Sequence, residues 1–160
     1  VLNGHLFQGP TGNAGALGPM RVPDKTGKIC QLRDIASLST LEWRLKAEGV
    51  DPAGVWASPS WCDLPEDIVA DWLDEAGAAI AHALLRALAI IDFSAVKIDG
   101  WMPAEVRRDL TRKVADCLAR QDLTGLNLPD IQEGSIGPDA RALGAASRPL
   151  LARFLVANLR

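Results

Sequence analysis

Residues 9–20 read Gly-Pro-Thr-Gly-Asn-Ala-Gly-Ala-Leu-Gly-Pro-Met, four glycines and two prolines directly after an apolar run. Such a loop either offers backbone amides to a ligand or simply turns the chain. Asn13 adds a side-chain amide that donates and accepts. A second candidate is Lys97-Ile-Asp-Gly100, with an acid at the end of a short alternating stretch. Asp63, Glu66, Asp67, Asp71, Asp74 and Glu75 crowd one segment like acid–base groups. At the start of a helix, such carboxylates favour the helix dipole and keep one face in water. Cys30, Cys62 and Cys117 have no CxxC spacing, which fits reduced thiols in a cytoplasmic protein better than a disulfide framework or metal site. His5 sits beside an Asn-Gly turn as a solvated residue, and His82 lies on an apolar helix as a hydrogen-bonded core or interface residue.

The elements that must position these residues follow from hydrophobic periodicity. Val1 to Phe7 predicts a β-hairpin around Asn3-Gly4, and a chain that begins inside a hairpin without Met reads as a fragment. Pro23 to Ser60 is irregular, apart from helical spacing at Ile35, Leu38, Leu41 and Leu45. A long helix follows, with Asp63 as N-cap, Pro65 in the first turn and Glu66 completing a capping box. Its stripe runs from Ile68 through Trp72, Ala76, Ile80 and Leu84 to Ile91, and its alanine-rich second half belongs inside the protein.

Phe93 to Gly100 then alternates as a strand. Pro103 opens a helix with Val106, Leu110, Val114, Cys117 and Leu118 on its core face. Leu128 to Gln132 forms a further short strand, and Pro138 opens a last helix, bent at Pro149. This order points to an α/β layer whose parallel strands are joined by crossover helices. On the helix after Pro103, Arg107, Arg108, Arg112 and Lys113 alternate with Glu105 and Asp109, a pattern for i,i+4 pairing. Trp56 and Trp61 flank a proline-containing loop, as anchors of a subunit interface do.

The 160 residues are 48% hydrophobic and 23% charged, enough for one globular domain with a real core. A formal charge of −3 gives no broad attraction to nucleic acid or to an anionic membrane. The apolar run from Ala76 to Ile91 is shorter than a membrane span, and no secretory signal pattern opens the chain.

Three segments in order, GHLFQGPTGNAGALGPMRV, IIDFSAVKIDG and GSIGPDARALGAASRPLLARFL, resemble the glycine-rich loop, the strand ending in a glycine pair and the closing helix of the ROK family of bacterial sugar kinases and sugar-responsive repressors. The resemblance implies an α/β fold, the actin-like, ribonuclease H-like ATPase lobe with a mixed sheet and crossover helices. Residues 1–160 would form its C-terminal lobe as a single domain, with the N-terminal lobe and any DNA-binding domain missing.

It also implies a site. Where the family's Ala-Gly-Glu-x-Gly-His pattern holds sugar hydroxyls through its Glu, this chain has Ala16, and Pro19 replaces the His. Each charge-assisted bond lost with that Glu is worth about 1.5–3 kcal/mol. A sugar-like effector would then meet Gly12, Asn13, Gly15 and Ala16, chiefly through backbone amides and the Asn13 side chain. The family's zinc run, Cys-x-Cys-Gly-x-x-Gly-Cys, is reduced to Cys30, so no zinc is expected. Packing by Ile29, Leu32 and Ile35 would hold that loop instead.

Asp99 and Gly100 stand where the family's glycine pair lets nucleotide approach, a nucleotide-site remnant in which the added carboxylate argues against ATP. Neither a phosphate-binding Asp-x-Gly-x-Thr nor an Asn-Asp pair supplying a base occurs in these residues, and phosphoryl transfer needs positioned phosphates, metal and a base. The expected role is therefore the effector-binding and oligomerisation lobe of a sugar-responsive transcriptional regulator. It would be a cytoplasmic homodimer or homotetramer without cofactor or membrane contact, reaching DNA only through a missing N-terminal domain. The alternative is the C-terminal lobe of a ROK sugar kinase acting on a hexose or amino sugar, and a third role is dimerisation alone.

Overall fold

The computed structural model describes residues 7–57 and 60–150, so the hairpin expected around Asn3-Gly4 falls outside the described residues except for Phe7. A short antiparallel hairpin comes first, β1 (Arg21–Pro23) and β2 (Ile29–Gln31), paired Arg21 to Gln31. The Asp24 carboxylate holds its turn, accepting from the Thr26 amide (2.8 Å), the Thr26 hydroxyl (2.7 Å) and the Lys28 amide (3.0 Å). This hairpin corrects the irregular reading of residues 23–60; three-residue strands are too short to show alternation. Val22 faces its partner Cys30 across the ladder and packs inward with Leu32 and Ile35. Alternation turns Ile29 the other way, and it is 48% exposed rather than part of the packing expected of it.

The helix expected from Ile35 to Leu45 is two pieces, α1 (Arg33–Ala36) and α2 (Leu38–Ala47). They break at Ser37, whose extended backbone and hydroxyl, accepting from the Thr40 amide at 3.3 Å, cap α2. A one-turn helix, α3 (Gly54–Ala57), leads to α4 (Glu66–Ile91), a 26-residue helix that scaffolds everything else. Pro65 is the N-cap of α4 and Asp63 is exposed, so the expected capping box does not form. Leu64 is buried and its amide closes a turn onto the Trp61 carbonyl (3.0 Å), which keeps residues 61–64 out of the helix.

Trp61 is core, not an interface anchor. It meets the fully buried Trp72 edge-on at 6.1 Å between ring centroids, and its indole N–H donates to the Val55 carbonyl at 3.3 Å. The burial expected for the alanine-rich half of α4 ends at Leu88: Ile90 is 82% exposed, and Asp92, left-handed at φ 51°, ends the helix.

The strand expected from Phe93 to Gly100 is β3 (Ala95–Ile98), followed by α5 (Ala104–Ala119) and β4 (Asp130–Glu133). β3 and β4 are parallel, with Ala95 opposite Asp130 and Ile98 opposite Glu133, and α5 lies between them in the chain. Among the described residues the strands form two separate pairs, not the single mixed sheet expected. A 3-10 turn (Gly137–Asp139) opens α6 (Ala140–Leu150), which contains Pro149, and Leu143 on it is exposed.

Val106, Leu110, Val114 and Leu118 bury the inner face of α5, while Cys117 sits on its flank, half-buried and accepting from Arg120 at 3.5 Å, rather than in the core. The acidic face of α4 is not simply solvated. Arg44 bonds Asp71 (2.7 Å) and Glu75 (2.8 Å), Lys25 joins Asp71 (3.1 Å) and Glu75 (2.6 Å), and Lys113 pairs with Asp74. Hairpin, α2 and α5 are thus each tied to α4.

α4 and α5 approach each other tightly at Gly77, where an added Cβ would lie 2.9 Å from the Lys113 Cβ. Overpacking of this kind costs about 1–3 kcal/mol, against roughly 1 kcal/mol gained from alanine's helix propensity. Gly77→Ala is therefore expected to lower the melting temperature, and Gly77→Val to lower it further. A melting temperature raised by Gly77→Ala would contradict this packing.

Candidate functional site

β3 and β4 end side by side, and the chain leaves them as Asp99-Gly100 and Gly134-Ser-Ile-Gly137. In open α/β folds the crevice beyond the carboxyl ends of parallel strands is where ligands bind. Here the Asp99 carboxylate occupies that edge. Its Oδ1 accepts from the amides of Gly100 and Gly137, each at 2.9 Å, and its Oδ2 from the amide of Ile136 at 3.0 Å. Arg107 Nη1 lies 3.8 Å from the same Oδ1, while Arg107 Nε donates to Glu133 at 3.1 Å. The carboxylate reaches this seat because residue 134 is glycine, whose added Cβ would stand 2.4 Å from the Asp99 Cβ. Burial pushes the Asp99 carboxyl up, but the three N–H donors and the Arg107 guanidinium outweigh it and hold the group below the usual carboxylate range.

In front of this edge lies a cleft of about 510 Å³, lined by Trp56 of α3, by Trp101 to Ala104, by Arg107 and by Ile136 to Pro138. Trp101 donates its indole N–H to the Trp56 carbonyl (3.1 Å), and Trp56 donates its own to Glu42 (2.7 Å). Its described lining is mainly aromatic and aliphatic, with the Arg107 guanidinium beside them.

The glycine loop lies elsewhere and lines no part of this cleft. Gly12 and Gly15 turn at φ +77° and +76°, with nothing within 4 Å of an added Cβ, so backbone conformation and not space calls for glycine there. The Ala16 amide bonds the Asn13 carbonyl at 3.2 Å, and the Asn13 side chain reaches Thr11 at 3.5 Å. Gly12, Asn13, Gly15 and Ala16 are all exposed, while Leu17 beyond them packs on the core.

Of the residues singled out in the sequence, Asp99 and Gly100 are brought together with Arg107 behind the cleft, and the loop residues form a separate exposed group. Sequence reasoning missed Trp56 and Trp101 as cleft walls and the amides of Ile136 and Gly137 as partners of Asp99. The available signal was Gly134-Ser-Ile-Gly137-Pro138 directly after a predicted strand. It also misassigned the basic residues of α5. Only Arg112 pairs locally, with Asp109 at 2.9 Å; Arg107 and Arg108 turn to Glu133 and Lys113 to Asp74. A helix packed on strand ends offers partners nearer than its own next turn. Among the described residues, no three His, Cys, Asp or Glu side chains gather as a metal site, and no helix is long and apolar enough to cross a membrane.

Comparison with known proteins bears on the fold. No protein-family model matches the sequence, and no curated protein matches it. The crystal structure of a ROK hexokinase from Thermus thermophilus superposes with a TM-score of 0.59 at 21% identity, covering 91% of this chain and 50% of that one. A protein assigned as a sugar kinase from Cytophaga hutchinsonii gives 0.58 at 20% identity, covering 92% of this chain and 52% of its own. The fold is that of the ROK sugar kinases. The chain spans about half the length of each.

The lowered Asp99 pKa fixes the sign of a pH effect. A depressed carboxyl contributes stability that is complete above its unfolded value, about 4, and is lost as pH falls through the folded value below it. Asp99→Asn keeps an acceptor and loses the charge, so it is expected to cost about 1.5–3 kcal/mol near neutral pH. The difference from wild type shrinks below about pH 4 in denaturant titrations. An equal difference at neutral pH and at about pH 3 would show that the charge is not what the amides hold.

Proposed function

We propose that this chain is the sugar-binding lobe of a ROK-type protein, the counterpart of the C-terminal half of a ROK sugar kinase. The observation that carries this reading is the superposition of nine-tenths of the chain on a ROK hexokinase. One comparison structure is a hexokinase and the other is assigned as a sugar kinase, which supports a lobe that takes part in ATP-dependent phosphorylation of a hexose or amino sugar. In that reading the phosphate loop and general base come from the other lobe. Sugar hydroxyls would meet the exposed loop through the Asn13 amide and the backbone around Gly12, Gly15 and Ala16.

One observation favours a second reading, the effector-binding lobe of a sugar-responsive regulator. The Asp99 carboxylate already takes the amides at the strand ends, where nucleotide would approach in a kinase. Ala16 likewise offers no carboxylate to a sugar. A regulator needs sugar binding and contacts between subunits, as a homodimer or homotetramer, but neither zinc nor phosphoryl transfer.

Calorimetric titration of the full-length protein with a panel of hexoses and amino sugars, beside an assay of sugar-dependent ADP release, tests both readings. Sugar binding is expected, and Asn13→Ala should weaken it about tenfold, the loss of one or two hydrogen bonds. ADP release that rises with sugar identifies the kinase; binding without release identifies the regulator. Sugar binding unchanged by both Asn13→Ala and Gly15→Val would make the glycine loop a connector and overturn the proposal.

A further inference from the structure

Of the five tryptophans, Trp43 on α2 is the most exposed, at 75%. Its indole N–H has no acceptor among the described residues, whereas Trp56, Trp61 and Trp101 donate theirs within the protein. Lys46 and Ala47, three and four places on, share its helix face and are exposed as well. Ala47 also lines an open groove of about 620 Å³ between the end of α2 and the start of α4, to which Val50, Pro65 and Ile68 add apolar surface. An exposed tryptophan and an apolar groove therefore adjoin, well away from the carboxyl edge of the strands.

The charges around this face sort into two groups. Arg44 and Asp71 line the groove but are bonded to each other. Lys46, Glu48 and Asp67 are exposed and have no ion-pair partner among the described residues, although Asp71, Asp74 and Glu75 further along α4 each have one. One face thus carries an unpaired cation and two unpaired anions beside its apolar surface. A partner of a single sign would set either Lys46 or the two carboxylates against a like charge. A second copy of the same face satisfies both, because a two-fold axis sets residue i against j and j against i.

We propose that this face joins two copies of the chain about a two-fold axis, with Trp43 of each seated in the groove of the other and Lys46 of each facing Glu48 and Asp67 of the other. A buried aromatic anchor inside a charged rim is the usual anatomy of such a contact, and the rim charges select the partner and fix its orientation. In the regulator reading this face supplies a contact between subunits. Its readout is mass alone, so it stands or falls separately from sugar binding and turnover.

Sedimentation velocity of the full-length protein over a wide range of concentration makes the test. Wild type is expected to form a dimer or a larger even-numbered assembly. Trp43→Ala, at an exposed position and with an unchanged circular dichroism spectrum, should halve that assembly or raise its dissociation constant at least tenfold. Lys46→Glu makes the rim wholly negative, and Glu48→Lys with Asp67→Lys makes it wholly positive. Each of these variants should dissociate alone, and an equimolar mixture of the two should associate as wild type does. A wild type that stays monomeric overturns the proposal and leaves the face to a different protein. Assembly unchanged by Trp43→Ala overturns it by placing the contact elsewhere, and so does a mixture of the two charge variants that fails to associate.

Discussion

Backbone N–H groups at the end of a parallel strand pair must find acceptors, and beyond β3 and β4 one carboxylate supplies three of them. The Asp99 side chain can lie there only because Gly134 brings no Cβ into its path. Once seated, it fixes Ile136 and Gly137, and with them the start of the 3-10 turn that leads into α6. The same two residues line the cleft, so the cleft's wall and the chain's path out of β4 depend on a single side chain. Arg107, drawn between Asp99 and Glu133, closes the arrangement from the α5 side.

This edge rests on a scaffold built around α4. Trp72, packed against Trp61, and the apolar faces of α2 and α5 supply the burial that dominates its stability. The ion pairs of Lys25, Arg44, Asp71 and Glu75 orient the hairpin and α2 on that helix. The pairs made by the largely exposed Lys25 and Asp71 add little energy and act mainly in register. The segment that resembles the zinc-bearing loop of the ROK family is organised here by the Asp24 turn and by Val22, Leu32 and Ile35, with Cys30 half-buried beside them.

Long, periodic elements were legible in the sequence: α4, α5 and the strands on either side of α5 follow from spacing, and the ROK resemblance agrees with the fold found. Features that depend on three dimensions were not. Asp63 has the chemistry of a cap, but burial of Leu64 moved the helix start beyond it. Trp61 beside a proline loop looked like an interface residue until Trp72 supplied its partner. Asp99 could be singled out as an acid in a place the family gives to glycine, yet its donors at Ile136 and Gly137 come from the far side of α5. No local pattern joins them. The glycine loop was legible as a turn, and its positive φ angles at Gly12 and Gly15 agree with that.

The central claim is that Asp99, folded over Gly134, organises the carboxyl edge, and a double-mutant cycle tests it most directly. Stability is measured for wild type, Gly134→Ala, Asp99→Gly and the double variant. If the account holds, Gly134→Ala is costly in wild type because it displaces the Asp99 side chain from its amides, and nearly neutral once Asp99→Gly has removed that side chain. An equal cost of Gly134→Ala in both backgrounds would mean that the two residues are not coupled and that the carboxyl edge is held by something else.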